Sequence, residues 1–172
     1  ATRLGAPVCA EHRCVCGAVV DTSGTHGLSC RKSAGRIARH NAVNELIRRA
    51  LLTAEIPSRL EPAKLSHTDD KRPDGVSTMP WSRGQCLAWD FTCPDTLAAS
   101  HLNRAVTGPE QVANDAEQRK KEKYSALSTQ YQFVPIAIET IGPVGDEATA
   151  FFQDVGRRLT AVTREPRTMT FL

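Results

Sequence analysis

Apolar residues recur at spacings of three and four through residues 35–55: Ile37, Val43, Leu46, Ile47, Ala50, Leu51 and Ala54. This period predicts a helix with one buried face. Ser33 stands before it as a candidate N-cap, and Pro57 closes it. Arg36, Arg39, Arg48 and Arg49 fall mostly off that face. Short runs with strand character follow at 59–65, 75–79 and 85–92, with Arg83-Gly84 as a turn between the last two. Residues 94–109 read as a loop with one helical turn. A second, highly charged helix is expected at 110–130. Residues 133–140 carry the strongest strand pattern, Val134, Ile136 and Ile138 alternating with Pro135, Ala137 and Glu139. The Gly142-Pro143 breaker follows. A third helix is expected at 146–163, with Phe151, Phe152, Val155 and Leu159 on its apolar side. The predicted order is a mixed α/β domain: helix, three strands, helix, strand, helix. No Gly-rich phosphate loop marks a doubly wound nucleotide fold.

Residues 1–33 lack this periodicity and are rich in Cys, Gly, His and Ser. Four of the six cysteines fall there, with histidines interleaved. The whole chain has 172 residues, 40% of them hydrophobic, which suffices for one core with a small appendage. A net charge of +3 permits a nucleic-acid partner without requiring one. No run approaches the roughly 20 apolar residues of a membrane helix, and no secretory leader pattern opens the chain. Its first residue is Ala, the expectation for a piece cut from a longer polypeptide.

Crowded Cys and His at one end point to a metal site in a reducing compartment more than to a disulfide framework. Cys14, Cys16, His26 and Cys30 supply the four ligands a structural zinc ion takes. Gly17, Gly24 and Gly27 let the backbone fold sharply around it. Cys9 and His12 are spare candidates that could replace Cys14 or Cys16. A loop with free cysteines is the plainer alternative, but a lobe so poor in apolar residues needs a staple.

Asp74, in Arg72-Pro73-Asp74-Gly75, and Asp90, in Trp89-Asp90-Phe91-Thr92, flank the predicted hairpin. Pairing of these strands sets the two acids side by side at the sheet's end. Paired carboxylates there suit a hard divalent cation that activates water and neutralises charge on a phosphodiester. Glu61 is a possible third. Taken alone, Pro-Asp-Gly is also a common turn sequence.

A helix, then strands bearing Glu61, Pro73-Asp74 and Asp90, then a Lys-rich helix resembles the PD-(D/E)XK, or restriction-endonuclease-like, nucleases. The sequence more closely resembles the endonuclease domain of non-LTR retrotransposon polyproteins, in which a Cys–Cys–His–Cys zinc motif precedes the nuclease. Cys14, Cys16, His26 and Cys30 match that motif. Arg39-His40 with Asn44, then Arg72 to Gly75, Trp89 to Thr92, Lys120, Lys123-Tyr124, and Phe133 through Glu139-Thr140 to Gly142 follow in order. The resemblance implies an α/β, restriction-endonuclease-like core (helix, three strands, helix, strand) over 34–172, behind a zinc-stapled lobe over 1–33. It implies Mg²⁺ or Mn²⁺ at Asp74 and Asp90. The implied activity nicks double-stranded DNA for target-primed reverse transcription. The implied partners are the element RNA and the reverse transcriptase domain of the same polyprotein, in the nucleus. The expected lysine two positions after Asp90 is replaced by Thr92. In the retrotransposon branch the lysine is understood to come from the following helix, where Lys120, Lys121 and Lys123 stand with Tyr124 adjacent. A solvated helix face is the alternative for these lysines.

Arg39, His40 and Asn44 share a helical face and, with Arg72, are candidates for DNA contact. His40 could instead close the sheet's open end. Glu139 joins the site or bonds locally. Trp81 and Trp89 are expected in the core, and Cys86 and Cys93 as buried free thiols. A different class of function is a catalytically decayed, zinc-stapled module that binds nucleic acid or protein.

Overall fold

The computed structural model describes residues 4–63, 65, 72–165 and 167. Residue 64 of the expected 59–65 strand, and the termini of both expected domains, lie outside the described residues. A small hairpin of β1 (His12–Arg13) and β2 (Val19–Val20) leads into the short α1 (His26–Ser29). The long α2 (Ala34–Thr53) follows. Then come β3 (Ser58–Leu60), β4 (Gly75–Ser82) and β5 (Gln85–Thr92), the short α3 (Leu102–Ala105), α4 (Gln111–Lys123), β6 (Tyr131–Ala137) and α5 (Asp146–Thr163). The main sheet has the order β3-β4-β5-β6. Its first three strands are antiparallel, and β6 runs parallel to β5. The class is mixed α/β.

Arg83 and Gly84 form the two-residue turn between β4 and β5, with φ of +49° and +78°. Both values lie in the left-handed region, as a type I′ hairpin turn requires. The edge position of β6 tolerates Pro135, which lacks an N–H for the ladder. Alternation along β5 sends Leu87, Trp89 and Phe91 into the main core with Ile47 and Leu51 of α2 and Phe151 and Val155 of α5. The residues between them, Ala88, Asp90 and Thr92, belong to the opposite face. On that face α4 packs through Ala113 and Ala116 against Ala137 of β6.

Several boundaries differ from the sequence expectation. In α2 the buried positions are Asn44, Ile47 and Leu51, followed by Ala54 at the C-cap; Ile37 and Leu46 are 71% and 57% exposed. Ile37 shares the buried face but precedes the turns that are covered, whereas Leu46 lies about 200° around the helix from Asn44, on its other side. The expected 59–65 strand stops at Leu60, because Glu61 takes φ +47°. The expected 110–130 helix ends at Lys123 and continues as a 3-10 turn, Ser125–Thr129. The last strand ends at Ala137, after which Ile138 bridges only to Val144.

Two acids in the charged region are structural. Glu117 is buried at 2% exposure. Its carboxylate accepts N–H bonds from Ala137 (3.3 Å), Glu147 (3.0 Å) and Ala148 (3.0 Å). One side chain on α4 thus joins the end of β6 to the first turn of α5, satisfying helix N–H groups that have no partner within the helix. Burial pushes its pKa above the ordinary carboxylate value despite those donors. Glu139, also buried, accepts the Ala113 N–H at 3.2 Å in the first turn of α4. Glu117→Ala leaves two buried donors and one half-buried donor unpaired, so unfolding in urea should show a loss of roughly 3 kcal/mol or more. A loss below about 1 kcal/mol would remove the clamp from this account.

Candidate functional site

The N-terminal lobe buries few apolar side chains: Val20 and Cys30 are its only core residues among those described. Its order comes from turns around sulfur. Cys14 and Cys16 flank the tip of the β1–β2 hairpin, where Gly17 takes φ +94° and donates to the Cys14 carbonyl at 2.8 Å. His26 and Cys30 are four residues apart across α1, so they share one face. The donor atoms of Cys14, Cys16, His26 and Cys30 lie within 4.8 Å of one another. Cys14 Sγ is 3.7 Å from Cys30 Sγ, and Cys16 Sγ is 3.2 Å from His26 Nε2. A tetrahedral zinc ion with bonds of about 2.0 to 2.3 Å sets edges of about 3.3 to 3.8 Å, so the donor set and its spacing fit zinc.

The ionisation of the cysteines fits as well. The Ala18 N–H at Cys16 brings its thiol down to about 7. Cys14 has a similar donor in the Cys16 N–H, but burial and the nearby sulfurs leave its pKa raised. A cation among three sulfurs removes that penalty. The spare candidates are not brought in: Cys9 donates to the Asp21 carbonyl, and His12 Nδ1 lies 2.9 Å from the Ala10 carbonyl. Among the described residues this is the one group of three or more Cys, His, Asp or Glu donors within metal-binding distance.

Along the first half of α2, at His40 and Asn44, the sheet end presents the two aspartates. Gly75 pairs with Trp89, so Asp74 stands opposite Asp90 by register. A side chain at Gly75 would run into the Trp89 indole. That indole is fully buried and donates through Nε1 to Asn44 Oδ1 at 2.9 Å. With its oxygen fixed, Asn44 turns Nδ2 to Asp74 Oδ2 at 3.2 Å. Asp74 Oδ2 also accepts the Phe91 N–H at 2.7 Å and faces His40 Nε2 at 3.1 Å. Burial opposes the charge on Asp74, but His40, the Phe91 N–H and Asn44 together hold its pKa below the ordinary value. His40 moves up, chiefly through its hydrogen bond to Asp74, with Asp90 adding to the field.

Asp90 is 4% exposed and enters a second network. Its Oδ1 lies 2.7 Å from the buried Tyr124 hydroxyl. Its Oδ2 makes an ion pair with Lys120, which reaches down from α4. Lys123 donates to the Tyr124 hydroxyl at 3.0 Å and lies over its ring. Lys121 points elsewhere, to Glu147 at 2.6 Å.

Other site expectations need correction. Glu61 does not join the aspartates in a three-carboxylate group. Its left-handed backbone turns the side chain outward, where it pairs with Arg72 at 3.0 Å, although its N–H donates to the Asp74 carbonyl. Asn44 is buried and cannot meet DNA; the Trp89 indole holds it inside. Arg39 is drawn to the lobe instead, donating through Nη2 to the Leu28 carbonyl at 3.2 Å. Trp81 and Trp89 are core residues, and Cys86 and Cys93 are free but only half-buried. Sequence reasoning gave no role to Arg31 or Arg119, which line a cleft with Arg36, Lys120 and Lys123. The cations come from the lobe, α2 and α4, so no periodicity marks the cleft. No helix among the described residues is long and apolar enough to cross a membrane. No protein-family model matches the chain, and no curated protein matches it significantly.

Two outcomes are expected. Metal analysis after dialysis should give about one zinc per chain, and Cys30→Ser should release it; a metal-free chain with an ordered lobe would contradict the site. The imidazole of His40 should titrate above about 6.5, and Asp74→Asn should return it to that value or lower. The lowered Asp74 pKa contributes stability above about pH 3.9, lost as pH falls through its folded value. The raised His40 pKa contributes stability below about pH 6.5, lost as pH rises through its folded value. Both contributions coexist between about pH 4 and 6.5, and an NMR titration of His40 that ignores Asp74→Asn would dissolve the pair.

Proposed function

We propose that this chain is a metal-dependent DNA endonuclease domain of the restriction-endonuclease-like class, akin to those of non-LTR retrotransposons. Its role would be to nick double-stranded DNA and leave a 3′-hydroxyl for reverse transcription. One observation carries the reading: Asp74 and Asp90 stand opposite each other at the end of the β4–β5 hairpin, and Lys120 reaches Asp90 from the following helix. The order of α2, three antiparallel strands, α4 and a parallel β6 supports it. Nuclear work on DNA, beside the element RNA and a reverse transcriptase domain of the same polyprotein, belongs to this proposal.

The aspartates are suited to a hydrated Mg²⁺ or Mn²⁺, which commonly takes one or two carboxylates and keeps several waters. All three partners of Asp74 converge on Oδ2. When bound, such an ion lowers the pKa of a water and offsets charge on the phosphoryl oxygens. The chain's own groups do the remaining work. Asn44 and the Phe91 N–H fix the Asp74 carboxylate, so it need not reorganise. Tyr124 fixes Asp90 through its one hydroxyl proton, a charge-assisted bond. Lys120 sits where an ammonium can offset negative charge developing on a scissile phosphate, replacing the lysine that Thr92 does not supply. His40 closes the far side of Asp74 and carries a proton at Nε2.

A binding module with a decayed site remains the second reading, favoured by the same two ion pairs: His40 and Lys120 already partner the carboxylates within the chain. Nicking of supercoiled plasmid with Mg²⁺ separates the two. Asp74→Ala and Asp90→Ala should abolish nicking. Lys120→Ala should slow it about 100-fold or more, while Lys121→Ala should leave it close to the parent rate. Equal nicking by parent and both aspartate variants, or none by the parent, would give the binding module the lead.

A further inference from the structure

Arg31, Arg36 and Arg119 face one cleft from three directions: the end of the zinc lobe, the first turn of α2, and the exposed side of α4. All three are exposed. None of their side chains makes a hydrogen bond or ion pair with another described residue. Lys120 and Lys123 line the inner part of the same cleft, and Lys120 leads on to Asp90. One acid, Asp95, shares the lining, but it is already committed, accepting from the Thr140 hydroxyl at 3.0 Å and the Leu97 N–H at 3.2 Å. His101 is tied to the Asp95 carbonyl at 2.8 Å. Asp115, the acid one helical turn before Arg119, is taken by Arg104 at 2.6 Å. The cleft therefore presents three arginines whose side chains have no ion-pair partner, beside Lys123 and the Asp90-paired Lys120, against the single lining acid Asp95.

Three guanidinium groups left unpaired around one groove call for an anionic ligand with repeated charge. Guanidinium forks match phosphate oxygens, and a row of them fits a backbone with regularly spaced phosphates. We propose that this cleft is the track for the DNA strand that enters the site, with Arg31, Arg36 and Arg119 gripping successive phosphates. In this arrangement the zinc lobe is one wall of the track and no separate docking module. Leu28, Ser29 and Arg31 supply that wall, immediately around the ligands His26 and Cys30. The Arg39 bond to the Leu28 carbonyl locks the wall to α2. Zinc thus fixes where Arg31 points. The inference rests on the endonuclease reading for the direction of the strand, and its test measures binding apart from cleavage.

The test uses the full chain and a fluorescein-labelled duplex of about 20 base pairs without added Mg²⁺, followed by anisotropy from about 50 to 200 mM salt. Each of Arg31→Ala, Arg36→Ala and Arg119→Ala should weaken binding by about 3-fold or more. Each should reduce the slope of log K against log salt by about 0.9, the value of one lost phosphate contact. Arg49→Ala, at the groove between α2 and α5, should match the parent. Cys30→Ser, confirmed by circular dichroism to keep the α/β core, should lose the same slope as Arg31→Ala. Unchanged slopes in the three arginine variants, or an equal loss in Arg49→Ala, overturn the track. An unchanged slope in Cys30→Ser overturns the role of zinc in it. Tighter binding of single-stranded RNA of equal length overturns the assignment to DNA. Parallel plasmid nicking keeps the readings apart: a parent that does not nick, with the arginine effects intact, sinks only the endonuclease, and a parent that nicks while the arginine variants bind normally sinks only the track.

Discussion

The indole of Trp89 must be buried, and its N–H must have an acceptor once it is. The core buries it, and the acceptor is Asn44, which the middle of α2 carries inside. Burial of an unpaired indole donor would cost on the order of 1–3 kcal/mol, so the amide oxygen of Asn44 is committed. Its nitrogen is then the group left for Asp74. From that single bond follow the orientation of the Asp74 carboxylate, its meeting with the Phe91 N–H, and the place of His40 one turn earlier on the same helix. Gly75 belongs to the same constraint, because a side chain there would displace the indole. A sheet end and a helix are thus bolted together by polar groups that cannot be released one at a time.

The other face of the sheet is organised by α4, which meets three demands along one stripe. Ala113 and Ala116 allow close approach to β6, Glu117 ties β6 to the start of α5, and Lys120 extends one turn further to Asp90. A charge as buried as Asp90 requires a partner, and the small residues of α4 bring the lysine within reach. Lys121 and Arg119, each a step of about 100° around the helix, point away from that contact. The catalytic proposal and the proposed track therefore meet at Lys120, which lines the cleft with Arg119 and reaches Asp90 from it.

The lobe has a different basis. It has almost no apolar core, and its turns gather three sulfurs and an imidazole. Metal binding and folding are linked in such a lobe. Its connection to the main domain runs through the start of α2 and the Arg39 bond to Leu28.

The residues alone determined the Cys14, Cys16, His26 and Cys30 cluster, the hairpin turn at Arg83-Gly84, the pairing of Asp74 with Asp90 by register, and the mixed α/β class. These depend on local spacing, on the period of apolar positions or on the sign of φ, all of which are short-range properties. Tertiary structure decided the rest. Asn44 and Glu117 are polar residues, one within an apolar-periodic helix and one in a charged helix, and only the packing of Trp89, β6 and α5 around them makes them interior. Glu61 had the right charge on the right strand, but a left-handed backbone at its own position sent it to Arg72. Ile37 and Leu46 carry a helical period that no neighbouring element covers. The choice among three lysines rested on a rotation about α4, fixed by contacts with Ala137 and the N-terminus of α5 far along the chain. Sequence spacing sets which residues share a helix face; which face meets the sheet depends on partners that the spacing does not contain.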